Sequence, residues 1–268
     1  MIKFFRKIRQ KLLSENKFSK YLIYAIGEIV LVVVGILIAL QINNTNEGWK
    51  KDQLKQELYL ELKSSIMSDT VALNSEKERL TSAFINAVRL KKTITNDLPY
   101  SKSLDSSFAK IEMVRITEAD YKTFDRFLEI GIEIIDDKML MNEIIHYYDD
   151  SKNLADNGDK IQKLLTENIY PNYYVSYSYG REAMPEDFKE LKKLNSFKIV
   201  LDYAIKTSRF LIQRSIHRKN LAIEILKILD DKITIQKGKE YKDPYIKTME
   251  KDSIDIKNEM NRLRKIID

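Results

Sequence analysis

The sequence predicts an all-α protein: one N-terminal transmembrane helix followed by an antiparallel bundle of long helices. Three observations predict it. Tyr21 to Ile42 contains an unbroken apolar run, Ile29 to Leu40, with Glu28 as the only charge in the segment. Only 7 Gly and 4 Pro occur in 268 residues, against 32% charged side chains, a composition suited to long helices with few tight turns. Beyond the apolar run, hydrophobic residues recur every third or fourth position.

The chain divides into a basic cytoplasmic segment (1–20), the span (21–42), an extracytoplasmic helical-bundle domain (43–240) and a C-terminal helix (241–268). The first 24 residues carry Lys3, Arg6, Lys7, Arg9, Lys11, Lys17 and Lys20 against Glu15, which accounts for the whole net charge of +6. The remainder is balanced, so a nucleic-acid partner is not expected despite a pI near 9.1. No cysteine is present, which excludes a disulfide framework, a thiolate metal site and a cysteine nucleophile.

In order along the chain, Ile2, Phe5, Ile8 and Leu12 share one helical face, with Lys3, Arg6, Lys7, Arg9 and Lys11 available to anionic lipid headgroups at about 1 kcal/mol each. A merely solvated basic flank is the alternative. The 22 positions of the span reach ~33 Å, enough to cross a hydrocarbon core of ~30 Å. The positive-inside rule places the N-terminus in the cytoplasm of an inner membrane and the body in the periplasm. A cleaved signal peptide fits less well, because the basic region is long, the apolar stretch is full-length and no small-x-small site follows.

Within the span, Gly27, Leu31, Gly35 and Ala39 follow i, i+4 spacing, a strip on which a second copy or a partner helix could pack. Glu28 beside it is costly in hydrocarbon. It has two readings, an oligomer or headgroup contact and a proton-path residue.

After Asn43-Asn44-Thr45-Asn46, a helix from Trp49 to about Thr95 is expected to stop at Asn96-Asp97-Leu98-Pro99. A short helix follows around Leu104 to Ile111. Thr117 and Asp120 have capping-box spacing for a helix ending at Gly131. Asp136-Asp137 opens a helix to about Asn168, which Pro171 breaks.

Tyr170, Tyr173, Tyr174, Tyr177 and Tyr179 then cluster, with Val175, Tyr177 and Tyr179 alternating as in a short strand or extended loop; the tyrosines offer a recognition surface or pack a connection onto the bundle. Pro185 to Asp187 suits a helix start, and a further helix runs from about Ser196 to about Ile235. After Pro244, Met249, Ile256, Met260, Leu263 and Ile267 have the near-heptad spacing of a coiled-coil segment.

Two separated blocks carry a resemblance. Ile2 to Arg9, Lys20 to Ile29 and Gly35 to Asn44 resemble the N-terminal signature of a large Bacteroidota, chiefly flavobacterial, domain family of unknown function. Tyr121-x6-Leu128-x2-Gly131 and Ile144-Ile145-His146-Tyr147-Tyr148 resemble its second block. The resemblance implies a single-span inner-membrane protein with a helical extracytoplasmic domain, and it implies no reaction. Thr45 stands where that family often has Trp, and the helix after Pro244 is an addition to its pattern.

No phosphate-binding glycine loop, dinucleotide fingerprint, nucleophile elbow or His-Glu-x-x-His stretch occurs. Glu143-Ile144-Ile145-His146 has the spacing of a di-iron ligand pair, but such a site needs a second copy, and the only other histidine, His217, follows Arg214. His146 is therefore expected to be structural, with no metal, cofactor or enzymatic reaction. The expectation is a scaffold or protein-interaction module in contact with membrane lipid, oligomeric or paired with a membrane protein. The alternatives are a ligand-sensing receptor that relays to a partner, and an ion-pathway subunit using Glu28.

Overall fold

A computed structural model describes residues 18–168, 170–178, 180–233 and 256–267. The basic N-terminal amphipathic segment, Tyr179 and the stretch around Pro244 lie outside the described residues. The chain forms two compact units, residues 1–55 and 56–268.

The first helix, α1, runs without interruption from Phe18 to Thr95. It therefore continues through Asn43 to Asn46, where the sequence had suggested an interval between two helices. Side chains support the backbone there: Asn43 Nδ2 donates to Glu47 Oε1 at 2.9 Å, and Thr45 Oγ1 donates to the Gln41 carbonyl at 2.8 Å. Four-residue spacing lets these polar groups bond within the helix rather than compete with it.

From Leu58 onward α1 buries one stripe, including Leu62, Ile66, Leu73, Leu80 and Phe84. It stops after Thr95, as expected, with Asp97 in the left-handed region (φ 51°) and the Leu98 N–H returning to the Thr93 carbonyl at 2.9 Å.

A 3-10 turn (Lys102–Leu104) leads into α2 (Asp105–Lys110), whose Phe108 and Ala109 enter the core. Residues 113–121 then run without regular structure before α3 (Lys122–Ile130). The capping box expected at Thr117 and Asp120 does not form. Helix α3 begins later, with Tyr121 as its cap residue, because the Thr117 and Asp120 N–H groups are taken by Glu76 and Asp69 of α1. Its end at Gly131 (φ 106°) is as expected.

Helix α4 (Lys138–Asn168) starts at a true N-cap, Asp137 Oδ1, which accepts from the Met139 and Leu140 N–H groups at 2.9 and 3.1 Å. A four-residue helix, α5 (Tyr170–Tyr173), precedes an antiparallel hairpin of β1 (Tyr174–Ser178) and β2 (Glu182–Pro185), paired Tyr174 to Pro185 and Ser178 to Glu182. Strand β2 packs Ala183 and Pro185 inward against α2.

Asp187 caps α6 (Phe188–Lys193), accepting from the Lys189 and Glu190 N–H groups. Helix α7 (Asn195–Lys232) packs along α4. The last helix, α8 (Ile256–Ile267), lies against α7, and its Met260 and Leu263 join the hydrophobic cluster. Part of the near-heptad face read in the tail is thus occupied by the chain's own bundle. Among the described residues the regular structure is helical apart from the hairpin.

Candidate functional site

Four places gather chemistry. The first is the apolar stretch of α1. Its helix meets the length and hydropathy of a membrane span, and none of the most apolar window is buried. At 100° per residue, Glu28, Gly35 and Ala39 fall within about 20° of one line, with Gly27 about a quarter-turn away. Apart from the helix's own backbone and the chain neighbours, no described atom lies within 4 Å of where a Cβ would stand on Gly27 or Gly35. Glu28 is half-buried.

The second is a polar centre inside the bundle. Arg218 of α7 and Glu76 of α1 are 1% and 0% exposed, with Arg218 Nη1 3.6 Å from Glu76 Oε1. Arg218 Nη2 donates to the Thr117 carbonyl at 3.0 Å and to Ser151 Oγ at 2.8 Å. Glu76 Oε2 accepts the Thr117 N–H at 2.5 Å, and Ser151 Oγ accepts the Ala119 N–H at 3.0 Å.

Two turns earlier on α1, Asp69 accepts from the Tyr147 hydroxyl at 2.9 Å and from the Asp120 N–H at 3.3 Å. Three helices thereby hold segment 117–120, whose backbone groups have no helix or strand to satisfy them. Burial pushes the Asp69 carboxyl above its usual value, against the opposing pull of Tyr147, the Asp120 N–H and Arg218. Burial, with the Asp69 charge beside it, raises the Tyr147 hydroxyl as well.

The third centre explains the tyrosine cluster. Glu112, just after α2, is fully buried and accepts from the Tyr177 hydroxyl. Tyr170 stacks on Tyr177 with centroids 4.7 Å apart and lies 5.0 Å from Tyr174, while Phe108 meets Tyr174 edge-on at 5.7 Å. Tyr173 sits 6.5 Å from Phe197. Four of the five tyrosines named from sequence are thus described, and three of them roof one carboxylate. Burial pushes Glu112 up, while Tyr177, the Gly180 N–H and Tyr170 pull it down. Burial also raises the Tyr174 hydroxyl, with the Glu112 charge adding to the effect.

The fourth is a pair. His146 on α4 and His217 on α7 meet edge-to-face, centroids 6.1 Å apart. One turn along, Asp150 accepts from Arg214. Among the described residues, no group of three or more His, Asp or Glu is placed to hold a metal ion.

Sequence reasoning missed Glu76, Arg218, Asp69 and Glu112. A signal was present for two of them: Glu76 lies between Leu73 and Leu80 on the apolar stripe of α1, and Arg218 sits among Leu211, Leu221 and Ile225 on that of α7. A charge on a buried stripe requires a partner.

The profile of a family of unknown function (DUF6090) matches residues 28–131. The matched span contains Glu28, Gly35, Asp69, Glu76, Glu112 and segment 117–120, and it includes the block from Tyr121 to Gly131. Ile2 to Arg9 and Ile144 to Tyr148 fall outside it, as do Tyr147, Ser151 and Arg218, the partners of the buried acids. No curated protein and no solved structure matches the chain.

Proposed function

We propose that the chain is a non-enzymatic, single-span protein of an inner membrane, with its N-terminus in the cytoplasm and its helical bundle in the periplasm serving as a scaffold or protein-interaction module. The observation that carries this reading is the complete exposure of the apolar window of α1. A run such as Ile29 to Leu40, exposed among the described residues, gains its burial from lipid or from another helix. Seven basic residues before the span, against a mixed segment after it, support the orientation.

Two surfaces favour assembly. One is the Glu28, Gly35 and Ala39 face, where small residues permit close helix approach. The other lies on α7, where Ile199, Tyr203 and Phe210 fall within about 40° of one line and are 67%, 43% and 53% exposed. The buried acids, by contrast, are enclosed by their own partners and support no exposed reaction centre. Cross-linking the full chain in membranes should give a discrete higher-mass species that weakens in Gly35→Ile or Phe210→Lys. A monomer alone, or a species indifferent to both substitutions, would contradict the reading.

A further inference from the structure

The chain has two histidines, 71 positions apart, and folding brings them together. His146 is on the third turn of α4, exposed at the surface, and His217 is half-buried on α7. Their rings are 6.1 Å apart at an interplanar angle of 62°. We infer that this pair forms a two-imidazole chelate for a late first-row transition ion such as Zn²⁺ or Cu²⁺, bridging α4 to α7.

Geometry and chemistry both bear on this. Imidazole nitrogen suits zinc, nickel and copper, which bind it at ~2.1 Å. Two imidazoles on one tetrahedral ion have centroids ~5 Å apart, so the observed pair closes onto an ion with a movement of about an ångström. His146 is on the surface, where a change of rotamer would supply that movement. The remaining coordination positions fall to water, since no third protein ligand is in place among the described residues.

A carboxylate is also at hand. Asp150 lies one turn from His146, with Oδ1 held by Arg214 and Oδ2 buried without a hydrogen-bond partner. Its charge is offset by the Arg214 with which it pairs, so the chelate rests on the two imidazoles. An ion held by both helices binds the folded chain and not the unfolded one, so it clamps α4 onto α7.

The test uses the full chain in detergent micelles. Thermal melts followed by helical circular dichroism, with and without ZnCl₂, should show a saturable rise of a few degrees. His146→Ala and His217→Asn should each abolish that rise while melting near the wild-type temperature without metal. Electron paramagnetic resonance of the Cu²⁺ form should show coupling to two nitrogens in the wild type and to one at most in each variant. No metal-dependent rise, or a rise retained in either variant, overturns the inference. Because His146 is exposed, its variant stays informative even if His217→Asn folds poorly.

Discussion

Glu76 and Arg218 are charges in a place where charge is costly, and neighbours on segment 117–120 and α4 make them tolerable. Their mutual distance of 3.6 Å is long, and the shorter bonds run to Thr117 and Ser151. The pair therefore positions a connection more than it binds helix to helix. Arg218→Met should cost about 3–5 kcal/mol, because it leaves a buried carboxylate uncompensated. Removing both charges (Glu76→Leu with Arg218→Met) should cost less than the sum of the single changes, as urea unfolding of the full chain would show.

Glu112 makes a different prediction. Its folded pKa is raised by burial, so the native state holds its proton more tightly than the unfolded chain does. That contribution is complete below the usual glutamate value of 4.5 and is lost as pH rises through the raised folded value. Asp69 acts in the same direction from 3.8 upward. Stability attributable to these groups should decline with rising pH across that window. In Glu112→Gln the slope should shrink to the Asp69 share, measured as urea midpoints from about pH 4 to about pH 8. An unchanged slope would show that Glu112 does not ionise differently in the two states.

Among elements, helix ends were the most legible part of the sequence. Asn96-Asp97-Leu98-Pro99, Gly131 and Asp137 act locally, through left-handed backbone, missing Cβ or a side-chain cap, and each ends or starts a helix where its chemistry says it should. Gly131→Ala tests this directly. At φ 106° a side chain is strained, and its Cβ would stand 3.0 Å from Glu133 Oε2, so a loss of about 1–3 kcal/mol is expected in the unfolding midpoint. Thr117 and Asp120 were misread because their capping spacing competes with Glu76 and Asp69, which are distant in sequence. The Asn43 to Asn46 stretch was misread because asparagine usually favours turns, whereas Asn43 and Thr45 each bond four residues away within the helix. The alternation at Val175 and Tyr177 left a short strand or an extended loop open, and Tyr174–Ser178 is a strand, yet what the tyrosines cover, Glu112, is some 60 residues earlier and has no local mark.

At the scale of the whole molecule, α1 carries two kinds of surface on one continuous helix. Near its start every large aliphatic residue from Ile29 to Leu40 is exposed, and from Leu58 onward it supplies one wall of a core. The all-α class and the apolar span were readable because both rest on periodicity and length. The polar centre and the histidine pair were not, since each joins α1 or α4 to α7 across long sequence separations. The central claim, that α1 anchors a periplasmic bundle, is tested most directly by protease accessibility of a C-terminal epitope in intact spheroplasts, after alkaline washing has separated integral from peripheral protein. The account predicts that the chain stays in the washed membranes and that external protease removes the epitope. Release by the wash, or an epitope cut only after the membrane is broken, would contradict it.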